Sequence, residues 1–147
     1  MRSAVFFALV ACQSADAPAR QKVELVDAAA TTDLAAIVAP EVARAERDHK
    51  HLVVYVGASW CEPCRRFHTA AERGELDAGF GDARFLVFDK DRDGDALEAA
   101  GYRSKFIPLF AIPNRDGTAS GRYIEGSIKG DGAVAQIGPR LRELIDR

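Results

Sequence analysis

The sequence predicts an α/β fold, a mixed sheet sandwiched between helices. Three observations lead there. Short apolar runs rich in β-branched residues alternate with amphipathic helical stripes. The last two strand candidates sit side by side across a polar turn, so one pair at least is antiparallel. The chain, at 147 residues, is long enough for one well-filled core and short for two.

The elements follow in order. "KVELVDA", from Lys22 to Ala28, alternates Val23 and Leu25 with polar residues and is a short strand. Thr31 to Lys50 is a helix carrying the stripe Leu34, Ile37, Val38, Val42 and Ala45, with Pro40 predicting a kink or a break. His49 and His51 fall in its solvated end. "LVVYVGA", 52–58, is continuously apolar, as a central strand covered on both faces must be. A helix runs from Cys61 to Glu72, a buried strand over 84–89, and a short helix from Asp95 to Tyr102. "PLFAIP", "NRDG" and "GRYIEG" make a hairpin. The last helix, Asp131 to Asp146, stacks Val134, Ile137, Leu141, Leu144 and Ile145; Pro139 predicts that it starts late, with the proline in its first turn.

Composition is that of an ordinary globular chain, 48% hydrophobic and 29% charged, with a net charge of −2. That balance argues against nucleic acid as a partner, which leaves a basic footprint. The N-terminus differs. Arg2 precedes the apolar run Ala4 to Ala11, too short to span a bilayer but suited to a signal peptide. Leu9-Val10-Ala11-Cys12 resembles the lipobox of bacterial lipoproteins, which implies a signal peptide over 1–11, a lipid on Cys12 and a membrane anchor. Residues 12–21 would then tether a domain over 22–147. Ala15-Asp16-Ala17 offers another exit, a soluble periplasmic form cleaved near Ala17.

The chemistry sits in "GASWCEPCRRFH", Gly57 to His68. Cys61 and Cys64 follow a buried strand and open a helix. There the unpaired backbone N–H groups and the helix dipole favour a thiolate. The spacing lets Cys61 attack a disulfide and Cys64 resolve the mixed disulfide. Pro63 sits in the first turn, where a missing N–H costs little. Other readings of the pair are weaker. A structural zinc site needs four ligands, and His68 adds only a third. Covalent haem needs histidine where Arg65 stands. Two buried structural cysteines are the plain alternative. Asp89, Asp91, Asp93 and Gly94 imitate the start of a calcium loop, but Ala100 occupies the position of the bidentate glutamate, so a solvated acidic turn capping the next helix is expected.

"WCEPC" after "LVVYVGAS", with "FIPLFAIPNRDG" downstream, resembles the thioredoxin family over about residues 22–146. The resemblance implies a three-layer α/β/α sandwich around a four- to five-stranded mixed sheet, and thiol–disulfide exchange on protein disulfides. It implies catalytic Cys61 and Cys64, and a substrate groove formed by Trp60, Pro63, Ile107 and a cis Pro108. It implies no organic cofactor and no metal. Expected partners are disulfide-bearing proteins and a membrane-bound electron donor, with the chain itself a monomer. The distance from Cys64 to Pro108 leaves no room for the insertion of the branch that serves cytochrome c maturation, so a minimal domain is expected. Three positions depart from the family: Tyr55 stands where an acid accepts the proton of the resolving thiol, "FLVF" lacks its partner lysine, and Leu109 follows the proline in place of threonine. Cys64 would therefore deprotonate more slowly, or through water or a group such as Glu62. Histidine, usual between the cysteines of strong oxidants, is replaced by Glu-Pro, which points to a reductant. The rival reading is a non-catalytic adaptor whose Cys61–Cys64 pair is a structural disulfide.

Overall fold

A computed structural model describes residues 21–147. The signal peptide over 1–11, the lipidation site Cys12 and nearly all of the 12–21 tether lie outside the described residues. The element order is β1 (Glu24–Asp27), α1 (Leu34–Arg47), β2 (His51–Gly57), α2 (Glu62–Glu72), α3 (Asp77–Phe80), β3 (Ala83–Asp89), α4 (Lys90–Ala99), β4 (Leu109–Pro113), β5 (Ala119–Glu125) and α5 (Ala133–Asp146). The five strands form one mixed sheet in the order β1-β3-β2-β4-β5. β1, β3 and β2 are parallel; β4 and β5 close the sheet antiparallel.

β2 lies at the centre, and its alternation divides the core. Val54 and Val56 face one layer with Leu34 and Val38 of α1 and Leu97 of α4. Val53 and Tyr55 face the other with Phe67 of α2, Phe80 of α3, and Ile137 and Leu141 of α5. Burial on both faces explains why β2 and β3 read as unbroken apolar runs. On the second face Tyr55, Phe67, Phe85 and Phe110 form one aromatic cluster, with Tyr55 stacked on Phe110 at 4.8 Å between centroids.

Four expectations are corrected. Of the kink or break expected at Pro40, the break does not occur: α1 is one helix from Leu34 to Arg47, capped by Asp33, whose side chain accepts from the Ala36 N–H at 3.1 Å. α5 starts at Ala133, so Pro139 is interior and not in the first turn. In each helix the proline leaves the carbonyl four residues back without its usual partner, at a cost of about 3 kcal/mol. Burial of Leu34, Val38 and Ala45 in α1, and of Ile137, Leu141, Leu144 and Ile145 in α5, outweighs that, at roughly 1.5–3 kcal/mol for each large side chain. The short helix α3, which the sequence reading lacks, has no side-chain cap and is fixed by burial of Phe80.

The fourth correction concerns "DKDRDGDALEAA". The acidic stretch is the first half of α4, which begins at Lys90 and not at Asp95. Asp89 is the cap: its Oδ1 accepts from the N–H groups of Asp91 (2.8 Å) and Arg92 (2.9 Å). Asp93 returns the bond, accepting from the Asp89 N–H at 3.0 Å, and its carboxylate is bound by its neighbour Arg92. Asp93 is 1% exposed. A carboxylate at the first turn is favoured by the helix dipole. These groups are spent on capping a helix, and the loop geometry of a calcium site does not form.

Candidate active site

Sheet register places the site. Val56 of β2 pairs with Leu109 of β4, so the end of β2 at Gly57-Ala58 and the Ile107-Pro108 dipeptide that precedes β4 lie side by side. The Ile107–Pro108 peptide is cis. Ala58, Cys61 and Cys64 form a small buried cluster, and Ile107 packs against it. Among the described residues no hydrogen bond engages the Ile107 backbone, whereas the Pro108 carbonyl accepts from Gly126 at 2.9 Å.

Cys61 and Cys64 are joined as a disulfide, with Cα atoms 5.3 Å apart. Cys61 is the N-cap of α2. Its sulfur accepts from the Cys64 N–H at 3.3 Å, and the Arg65 N–H reaches its carbonyl. Pro63 occupies the first turn, as expected. The charges around the pair are partly neutralised. Glu62 accepts from Arg66 (3.0 Å) and from the Gly130 N–H (3.2 Å), and Arg66 also holds Asp131 at 2.7 Å. The Arg66 hydrogen bond, above all, holds the Glu62 carboxyl below the usual carboxylate range. Arg65 turns away to the Ser59 carbonyl at 2.7 Å.

Outside the disulfide lies a groove of about 700 Å³, to which Trp60, Cys61, Pro63 and Ile107 contribute. Trp60 is 63% exposed, and its indole N–H donates to Asp91 at 2.8 Å, which ties the tryptophan to the first turn of α4. Phe106, 64% exposed, lines the groove beside Ile107. The backbone N–H groups of Lys105 and Phe106 are both held by Glu125 of β5. The sequence alone assigns Asp91, Phe106 and Glu125 no part in the groove. Only Phe106, adjacent to the "IP" dipeptide, carried a local signal; the other two act across the fold.

Neither a family model nor any curated protein matches this sequence. Solved structures do match. The thioredoxin of Fasciola hepatica superposes with a TM-score of 0.53 at 22% identity, over 86% of this chain and 97% of that one. Poplar thioredoxin h gives 0.51 at 24%, over 86% and 98%. The thioredoxin of Trichomonas vaginalis gives 0.51 at 19%, over 82% and 94%. The fold is that of the thioredoxins.

Beneath Cys64 stands Tyr55, where the sequence resemblance led to the expectation of an acid. Tyr55 is 2% exposed and its hydroxyl donates to the Cys64 carbonyl at 2.9 Å. Burial pushes the Tyr55 hydroxyl above its ordinary pKa, so it is not a base at neutral pH. Gly57 keeps the space open: a Cβ there would stand 3.3 Å from Cys64 Cβ and 3.5 Å from the Tyr55 hydroxyl. Behind Cys64 lies a cleft of about 450 Å³ of mixed character, in which Asp27, His68, Asp89 and Arg92 join Tyr55, Val87 and Phe88. Glu62 lines the groove at Cys61 and not this cleft. His68, one turn after Cys64, is half-buried, with its Nε2 3.3 Å from Glu72. Among the described residues no group of three potential metal ligands converges.

Proposed function

We propose that the chain is a thiol–disulfide oxidoreductase that reduces protein disulfides outside the cytoplasm. The observation that carries this reading is the Cys61–Cys64 bridge, capping the N-terminus of α2 and opening onto a groove where the Ile107 backbone has no hydrogen-bond partner among the described residues. In the reduced protein, the helix N-terminus and the Cys64 N–H stabilise a thiolate on Cys61. An extended substrate lies along Ile107 in β-augmentation fashion. The Cys61 thiolate attacks one sulfur of the substrate disulfide, and the other sulfur leaves as a thiolate. Cys64 then attacks Cys61, which releases the second substrate thiol and leaves the Cys61–Cys64 disulfide. The Cys64 proton leaves through the cleft beneath it, whose lining includes Asp27, His68 and Asp89, since Tyr55 cannot accept it and Glu62 lies on the groove side, held by Arg66.

The solved structures it resembles are described as thioredoxins. The Glu-Pro between the cysteines, in place of the histidine expected of strong oxidants, supports a reductant. The lipobox-like Leu9-Val10-Ala11-Cys12 supports a periplasm-facing lipoprotein, recharged by a membrane-bound electron donor and acting as a monomer. The deciding assay is reduction of insulin by dithiothreitol. The wild-type chain should accelerate it, and Cys61→Ser should abolish the acceleration. A wild type with no turnover would leave the adaptor reading, favoured by Tyr55 in place of an acid. Titration of the pair against glutathione sets the direction, and a potential near that of disulfide formers would overturn the reductant. Fatty-acid labelling lost in Cys12→Ser tests the anchor.

A further inference from the structure

The groove beside Cys61 carries a charge pattern of its own. Three of the chain's five lysines, Lys90, Lys105 and Lys129, line it, each from a different segment of the chain. Among the described residues none of the three forms an ion pair, whereas Lys50, away from the site, is bound to Glu24. Two carboxylates line the same groove, and both are occupied. Asp91 holds the Trp60 indole, and Glu62 holds Arg66 and the Gly130 N–H, with Lys129 near enough to add to its acidity. The unspent charge at the groove is therefore positive, on a chain whose net charge is −2. Between the lysines the surface is apolar and exposed, formed by Trp60 and Phe106 with Ile107 behind. A surface of aromatic anchors inside a basic rim is complementary to a peptide with a bulky apolar residue and acidic residues beside its cysteine.

We infer that the substrates are protein disulfides lying in extended, acidic segments, selected by Lys90, Lys105 and Lys129 around the Trp60–Phe106 surface. The inference rests on the reductase reading and names its substrate class. The redox step is the exchange already described. Two electrons pass from the Cys61–Cys64 dithiol to the substrate disulfide, which leaves as two thiols, and dithiothreitol restores the dithiol.

The test uses the full chain, reduced, with three disulfide-linked peptides that share an aromatic residue beside the cysteine and differ in flanks: aspartate-rich, serine-rich or lysine-rich. At low ionic strength the aspartate peptide should be reduced about tenfold faster than the lysine peptide, and 0.5 M salt should bring the ratio close to one. The triple variant Lys90→Gln, Lys105→Gln, Lys129→Gln should lose the preference while reducing the serine peptide at the wild-type rate. Should that variant fold poorly, the single exposed-site variant Lys105→Glu should lower the ratio at least twofold. Equal rates for all three peptides, or a preference that survives the lysine substitutions, overturn the inference and leave the reductase reading intact. Failure to reduce any peptide, the serine one included, overturns both.

Discussion

Cys61 and Cys64 occupy unlike surroundings although a single turn of helix separates them. Cys61 faces the groove, with Trp60 and Ile107 on its flanks; Cys64 backs onto Tyr55 and the cleft behind it. On the proposed mechanism the first attacks and the second resolves, in keeping with that asymmetry. Cys64→Ser should therefore trap a covalent complex with substrate, seen as a dithiothreitol-sensitive band on a non-reducing gel, and Cys61→Ser should trap none. Tyr55 supplies a hydrogen bond to the Cys64 carbonyl, one of the few polar contacts in an aromatic cluster. Tyr55→Phe should lower stability by about 1 kcal/mol in urea unfolding. It should leave insulin reduction within about twofold of wild type, because the hydroxyl is no proton acceptor; a large loss of rate would place it in the proton path.

At the scale of elements, two contacts hold the site's frame. The first is the cap of α4. Asp93, buried, binds the Asp89 N–H and Arg92, and Arg92 also reaches the Ala28 carbonyl at 3.0 Å, tying the end of β1 to the start of the helix beside the cleft. Asp93→Ala removes the acceptor of the part-buried Asp89 N–H and of Arg92 and should cost about 1–2 kcal/mol, read as a lower urea midpoint. The second is the β4–β5 turn. Gly117 has φ of +85°, and a Cβ on it would lie 2.2 Å from the Ala35 carbonyl oxygen of α1. Its own carbonyl accepts from the Tyr102 hydroxyl at 2.8 Å. Gly117→Ala must both strain the backbone and push α1 away, with an expected loss of at least about 2 kcal/mol, again by urea unfolding.

Over the whole molecule, one charge cluster ties the β1–β3 edge to the end of α1. Arg84, with 8% of its side chain exposed, binds Glu24 and Asp48, each at 2.6 Å, and Lys50 binds Glu24 at 2.9 Å. Burial alone would raise the Glu24 carboxyl; the hydrogen bonds from Lys50 and Arg84 outweigh it and hold it low. The Arg84 hydrogen bond does the same for Asp48. A carboxyl whose pKa is lower folded than unfolded contributes stability above its unfolded value. That contribution is lost as the pH falls through the folded value. Stability should therefore decline with acid below the ordinary values of 4.5 for Glu24 and 3.8 for Asp48. Urea midpoints measured from pH 7 downward should show this decline, and Glu24→Gln should flatten part of it.

The alternation of apolar runs and stripes made the strand and helix order legible, because burial on both faces of a sheet leaves a continuous pattern. The Cys61–Cys64 pair was legible for the same kind of reason: strand, cap and helix start are neighbours in the chain. The acidic stretch after β3 was misread, because whether Asp93 faces water or Arg92 and Asp89 is decided by what packs beneath it. Pro40 and Pro139 misled in the same way; local chemistry argues for an interruption, and packed stripes override it. The sequence by itself determined the layering, the hairpin and the position of the pair, all of which depend on near neighbours and apolar period. Only the tertiary structure decided that Asp91 steadies Trp60, that Tyr55 is tied to Cys64, and that lysines from three separate segments converge on one groove. Those depend on sheet register and helix docking, which bring together residues that no local pattern relates.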